Sequence, residues 1–445
     1  MPYKSVLFRM SNSFKKNLVW FTLAAGLLCI PVLAGDLKTQ LVEGLSEGKA
    51  TVWLFAQFEE DLRDDNRYPI ELLIEQEISL DFSSKFNFTA AAEYRADNRH
   101  FTQGAVDDWV EQEPRRFHIN LREAYFKLSA GKADLYVGKK IYSWGKADAF
   151  NPTDNINPSD YLDFIISEKI GVVSAELSIS GTNAGIDLVF VPLFTPSRIP
   201  AQDNRWAISP EPFLPPMAAY VFGEPTFPEE EWENGQSAVR LWATLGSLDV
   251  ALTAYRGYDP IPAILTGEDP ATLYITLDPV YNEIKEYGLS LARPFGETLL
   301  YLEASYRETE ADYDDDFLAY AIGLNRSFYV GSAIEEIRLI LEYIDEAFIT
   351  EKENASRVTS DLARPFKDSV LGEVNFVFNE DMSLKLRYAY NMEENDYLFK
   401  PQFDYSFSDA FKMEVGLDLI EGDPNTFWGK WDNNSRFFSK LKFFF

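Results

Sequence analysis

Between residues 143 and 161 the chain reads SWGKADAFNPTDNINPSDY, and with Asp163 just beyond, the stretch gathers four aspartates: Asp148, Asp154, Asp160 and Asp163. Carboxylates so grouped can hold a cation, cap turns, or set negative charge in the path of a solute. The calcium-loop pattern D-x-[DN]-x-[DN]-G is not met, and Pro152 and Pro158 would disrupt it. Turn capping is the plain alternative, because Asn151-Pro152 and Asn157-Pro158 both favour turns. Proline fixes φ and removes a backbone donor, so the stretch is neither a helix interior nor a central strand. It reads as a stiff acidic loop leaving the strand-like run LYVGKKIYSW (135–144).

Other chemistry is sparse. His100 and His118 are the only histidines, and nothing beside them marks a nucleophile. No phosphate-binding loop and no metal-ligand spacing occurs, so neither a catalytic residue, a cofactor nor a metal is expected. Cys29 is the single cysteine. It falls in a segment that reads as a secretory signal peptide (1–34): a basic start with Lys4, Arg9, Lys15 and Lys16, an apolar core at 18–34, and Val32 and Ala34 before a cut ahead of Gly35. The mature chain, 35–445, would then have no thiol chemistry. Loss of those four positive residues would take the net charge from −30 to −34, which argues against nucleic acid as a partner. Aromatic residues make up 15% of the chain, so disorder is not expected.

The elements that must position these residues are strands. After residue 34 no apolar run reaches the roughly 18–20 residues of a membrane-spanning helix. Instead, period-2 segments of about ten residues dominate, the length at which a tilted strand crosses a bilayer. MSLKLRYAYN (382–391) sets Met382, Leu384, Leu386, Tyr388 and Tyr390 on one face and Ser383, Lys385, Arg387 and Asn391 on the other. Eighteen such segments are predicted, at 50–59, 70–82, 86–95, 117–128, 133–144, 169–180, 184–194, 237–246, 247–257, 282–293, 297–308, 317–328, 334–345, 369–378, 382–391, 397–407, 410–420 and 435–445. Every second connection is short, as in FSSK (82–85), SAGK (129–132) and FNED (378–381). The intervening ones are mostly longer and rich in charge or proline: 96–116, 144–168, 195–236, 258–281, 346–368 and 421–434. That rhythm predicts an all-β fold: a transmembrane antiparallel β-barrel of about 18 strands with short periplasmic turns and long extracellular loops. Residues 35–49 could form a short helical turn before the first strand. A periplasmic β-sandwich or a propeller is the soluble alternative, and no repeat supports the latter.

Strand alternation also turns six basic residues inward: Arg122, Lys140, Arg240, Arg338, Lys385 and Arg387. They could form a charged lumenal wall that sets selectivity. Equally, they could pair with inward acids such as Glu75, Glu77, Glu93, Glu123, Glu303 and Glu342 and brace the barrel. Lys139 falls on the outward phase and needs a bulge or an interfacial position. The loop at 195–236, with its many prolines and aromatics, reads as an extracellular lid.

Two resemblances add to this. RFFSKLKFFF (436–445) is similar to the C-terminal signal of Gram-negative outer-membrane barrels, with Phe445 last and Phe443, Leu441 and Phe437 at alternating positions before it; Ser439 departs from the pattern. This implies the outer membrane of a Gram-negative bacterium, contact with its lipid, and delivery by the barrel-assembly machinery. Residues 121–161 resemble a group of poorly characterised porin-like proteins. Leu121-Arg122-Glu123, Gly138, Trp144-Gly145 and Asn157-Pro158-Ser159-Asp160 match, while Lys139-Lys140 stands where that group often has Arg-Gln. The strand number also resembles alginate-export and other substrate-specific porins. In porins the third long loop folds into the barrel, so the resemblance implies a constriction at 144–168, where Phe150, Ile156, Tyr161, Phe164 and Ile165 could dock on the wall. The four aspartates would then face the pore.

The expectation is therefore a porin-like, non-enzymatic channel for a small solute. A transporter of hydrophobic molecules is the first alternative, and a non-transport barrel, lipid-acting or adhesive, is the second. Monomer and trimer are both open. Deleting Phe445 is expected to lower assembly into the outer membrane while export to the periplasm continues. Normal surface levels and a normal heat-modifiable gel shift in the deletion would contradict the assembly reading.

Overall fold

In the computed structural model, residues 45, 48–61, 63–106, 109–208, 219–269, 272, 274–312, 314–331, 333–350, 352, 357–358 and 366–445 are described. The expected signal peptide lies outside them. Of the expected helical turn at 35–49, only Leu45, Gly48 and Lys49 are described, and Lys49 already belongs to the first strand.

Eighteen antiparallel strands form one closed barrel. In chain order they are β1 Lys49–Gln57, β2 Ile70–Ser83, β3 Phe86–Asp97, β4 Ile119–Ala130, β5 Ala133–Lys140, β6 Val172–Ser180, β7 Ala184–Val191, β8 Gln236–Leu245 and β9 Leu248–Tyr258. The second half is β10 Glu283–Phe295, β11 Thr298–Thr309, β12 Asp316–Tyr329, β13 Glu336–Thr350, β14 Ser369–Asn379, β15 Met382–Asn391, β16 Tyr397–Ser408, β17 Phe411–Glu421 and β18 Arg436–Phe444. Each of the eighteen predicted segments is matched by one strand. The barrel closes where β1 pairs with β18, from Lys49↔Phe444 to Gln57↔Arg436. Two further bonds extend the seam, Gly48 N to Phe445 O at 2.7 Å and Phe445 N to Gly48 O at 3.0 Å. Closure leaves no edge strand with unpaired backbone groups.

The pleat sorts the side chains. Leu241, Leu252, Leu300 and Ile322 are outward and about half exposed, while Ala321, adjacent to Ile322, is fully buried inside. Short turns join alternate strands at one end, with Gly131 (φ +67°) and Gly296 (φ +61°) supplying the left-handed conformation that the tight turns after β4 and β10 require. The long connections gather at the other end. There a small sheet of Tyr220–Phe222, Ala263–Glu268, Ile275–Val280 and Arg357–Val358 is built from the predicted loops 195–236, 258–281 and 346–368. The longest loop is thus partly ordered into sheet; its residues 209–218 lie outside those described.

The barrel also has a core inside it. Ala321, Ile344, Leu371, Ala389 and Ile420 project inward from β12 to β17 and meet Phe101, Leu162, Phe164, Trp206, Phe427, Trp428 and Trp431 from the long connections. Phe164 stacks on Trp431 at 4.9 Å between ring centroids, and the Trp431 indole donates to the Trp206 carbonyl at 3.1 Å. A wide barrel is hollow if its wall side chains alone fill it; here the loops fill that sector.

The outward face sets a direct expectation. Leu252→Arg is expected to destabilise the barrel refolded in lipid vesicles by roughly 2–4 kcal/mol, the cost of a lipid-facing arginine at mid-depth. Urea midpoints in vesicles would measure it, and an unchanged midpoint would contradict a lipid-facing β9.

Candidate functional site

The acidic loop after β5 crosses the interior to the opposite wall. Five consecutive backbone N–H groups, Lys146 to Phe150, point at two carboxylates there. Glu303 on β11 accepts from Lys146 N, from Ala147 N at 3.1 Å and from Thr153 Oγ1 at 3.0 Å. Glu342 on β13 accepts from Asp148 N at 2.6 Å, Ala149 N at 2.8 Å and Phe150 N at 3.1 Å, and from the Tyr301 hydroxyl at 2.7 Å. Both carboxylates are fully buried. Hydrogen bonds to an ionised acceptor are worth ~1.5–3 kcal/mol each, and an unmet buried charge costs more. Segment and wall therefore satisfy each other.

The base of the segment is stitched by Asn157. Its amide donates to Lys140 O at 3.1 Å and Ile170 O at 2.8 Å, and its oxygen accepts from Tyr142 N at 2.7 Å. Pro158 follows immediately, so the Asn-Pro pair ends one run of bonding and starts a turn. Phe150, Tyr161, Phe164 and Ile165 pack into the interior aromatic core, and Ile156 into a second cluster with Trp144, Val189 and Tyr255. These are the five apolar residues expected to dock.

The four aspartates do not share one role. Asp148 faces Asn325 of β12, whose amide donates to it at 3.1 Å. Asp154 is bound by Lys169 across the same loop, and burial pushes its carboxyl above the usual range against that attraction. Asp160 takes Arg116 Nε at 2.8 Å and Arg198 Nη1 at 2.8 Å, and caps Leu162 N at 3.1 Å. Asp163 takes Arg99 at 2.6 Å and Arg436 at 2.6 Å. Burial alone would raise the carboxyls of Asp160 and Asp163, but the paired guanidinium groups hold both well below the usual range. Three of the four aspartates are thus ion-paired, Asp160 and Asp163 each with two guanidinium groups.

The six basic wall residues are all within ion-pair distance of acids. Arg122 meets Glu75 at 3.2 Å, Arg240 meets Asp187 at 3.9 Å, Arg338 meets Glu336 at 2.7 Å, Lys385 meets Asp404 at 2.7 Å and Arg387 meets Glu373 at 2.5 Å. Lys140 meets Glu176. Arg338 sits at the short-turn end, far along β13 from Glu342. Of the six, Arg240 lies close enough to act on Asp154 electrostatically. Lys139 is fully buried and bound to Glu111. The backbone turns at Gly138 (φ +142°), where a side chain would collide with the Ala124 carbonyl.

The residues missed from the sequence are the loop clamps Arg99, Arg116 and Arg198, together with Arg436. The first three lie in long connections, where no period assigns a direction. Arg436 was legible: it shares the phase of Lys440 and Lys442, opposite Phe437, Leu441 and Phe443, and so points inward.

Between the inward segment and the wall from β10 to β13 lies a cavity of about 390 Å³. Asp154 and Tyr161 line it from the segment, and Ile284, Glu286, Ser305 and Arg307 from the wall.

No family model and no curated protein matches the chain. Among solved structures it is similar to a mutant of the Rh. blastica porin, at 11% identity and a TM-score of 0.40, over 90% of this chain and 100% of that one. It is also similar to a loop-deletion mutant of OmpT, an outer membrane protein of Vibrio cholerae, at 9% identity and a TM-score of 0.44, over 90% and 100% of the two chains.

The Asp163 clamp carries a measurable cost. Asp163→Asn leaves Arg99 and Arg436 facing a neutral group and is expected to lose roughly 3–5 kcal/mol of stability, as removing one partner of a buried ion pair does. Because the folded carboxyl titrates below its unfolded value of about 3.9, the clamp is fully present above about pH 4 and is lost as pH falls through the folded value. The difference in urea midpoint between the two proteins should hold from pH 8 to pH 5 and shrink below about pH 4. A difference that is absent at neutral pH, or that grows in acid, would contradict the clamp.

Proposed function

We propose that this chain is a porin-like outer-membrane channel that passes a small polar solute through the gap between residues 144–168 and the wall of β10–β13. The observation that carries this reading is the pinning of Lys146–Phe150 onto Glu303 and Glu342, which holds the segment across the interior beside the cavity. A barrel with an outward apolar face and no open edge suits a bilayer. The closely packed aromatic sector supports passage on the polar side of the segment. The lining of the gap is mixed in charge, with carboxylates and cations both present, which suits solutes that exchange water for polar contacts.

The test is conductance. The purified barrel in planar bilayers is expected to give a stable ohmic current. Glu303→Ala with Glu342→Ala removes both acceptors, frees the segment, and should raise single-channel conductance by about twofold or more with added open-channel noise, as widening a narrow pore does. Absence of any current from the wild-type protein would overturn the channel. A current unchanged in the double variant would overturn the constriction.

A further inference from the structure

The residues lining the cavity beside the inward segment include polar atoms that the described residues leave unused. Glu286 is 3% exposed and Ser305 is 4% exposed. Both line the cavity, and among the described residues Glu286 Oε2 and Ser305 Oγ have no hydrogen-bond partner. They are neighbours on the same inner face: Glu286 pairs in register with Arg307, and Ser305 with Gly288.

The charge around them is also incomplete. Arg307 bonds Glu286 Oε1 and also serves Asp259 at 2.6 Å, so one guanidinium faces two carboxylates. Carboxylates outnumber cations on the cavity lining by six to three. Buried polar atoms are nearly always paired, and a buried carboxylate oxygen without a donor is costly. The missing partner must be a donor, and a positive one offsets the excess charge as well. The rest of the lining includes Ile261, Ile284, Ile344 and Phe317, an apolar side against which a hydrocarbon body can lie. At about 390 Å³ the space suits a molecule of metabolite size.

We infer that this cavity is a binding site for small organic cations, in which a primary ammonium group bridges Glu286 Oε2 and Ser305 Oγ while its carbon chain lies on the isoleucine side. The inference rests on the channel reading and deepens it by giving the passage a solute class. An ammonium carries three donors and no acceptor, which matches a carboxylate oxygen and a hydroxyl oxygen on adjacent strands. A carboxylate solute would meet the excess of acids and be repelled. A neutral alcohol could serve the hydroxyl but would leave the charge uncompensated.

Binding and conduction are measured separately, so each claim can fail alone. n-Butylammonium, butan-1-ol and butyrate are titrated into the full barrel in detergent by calorimetry, and are then added to the conducting protein in a bilayer. Butylammonium is expected to bind and to interrupt the current, with the other two binding at least about tenfold more weakly. Glu286→Gln should weaken butylammonium binding by about tenfold, and Ser305→Ala, a milder change that leaves the Arg307 ion pairs intact, by about threefold. Equal binding of butyrate or butan-1-ol, or unaltered binding in Ser305→Ala, would overturn the cation site. A protein that conducts but does not bind butylammonium keeps the channel and loses this inference. One that binds it through Glu286 and Ser305 but carries no current keeps this inference and loses the channel.

Discussion

Five backbone N–H groups without a sheet partner, and two buried carboxylates with the Tyr301 hydroxyl, solve each other's problem inside this barrel. A chain that leaves its wall strand carries unpaired donors, and these cannot be buried unmet. Glu303 and Glu342 are equally unable to sit dry without donors. Among the described residues neither carboxylate is in an ion pair, so the segment's backbone, with the hydroxyls of Thr153, Ser290 and Tyr301, is what keeps them bonded. Everything else in the interior follows from where this contact holds the loop: the packing of Phe150 against Phe366, the sector filled by Trp206 and Trp431, and the gap left against β10–β13.

The arginine clamps work at the other end of the same segment. Asp160 and Asp163 each take two guanidinium groups, and Arg436 continues to Asp418 at 2.7 Å. These pairs tie three long connections and the closing strand β18 together. Their charges are spent within the fold, so an acidic stretch contributes little net field to the gap. The charge that remains there comes from the wall, where Arg307 is shared between Asp259 and Glu286. Ion pairs of this kind contribute less to stability than their number implies, because each buried charge is desolvated first. What they add is position: a guanidinium fork accepts a carboxylate in few orientations.

Much of this was legible in the residues. Period-2 alternation located all eighteen strands, because a side-chain period of two survives without any knowledge of neighbours. Alternation also placed Arg240, Lys385 and Arg387 inside. It could not say that Asp187, Asp404 and Glu373 stand opposite them, since a pair across strands depends on register. The loop was harder. Asn-Pro turns marked it as stiff, and its apolar residues as able to dock. Its partners, however, lie far off in sequence: Asp163 meets Arg436 across 273 positions and Arg99 across 64. The turn chemistry that makes the loop stiff carries no record of which wall it reaches. Glu303 and Glu342 were recognisable as inward acids, but not as acceptors for another segment's backbone.

The central claim is that residues 146–150 rest on the far wall in the working protein. With Cys29 the only cysteine in the chain, Asp148→Cys with Asn325→Cys places two thiols where the Asn325 amide now meets Asp148 at 3.1 Å. A short bifunctional thiol reagent applied to the barrel in lipid is predicted to join them in high yield, detected as one modified band after digestion between the two sites, and to leave the wild-type level of conductance unchanged. Failure of the two thiols to join while each still reacts singly, or a joined protein whose conductance collapses, would contradict the account.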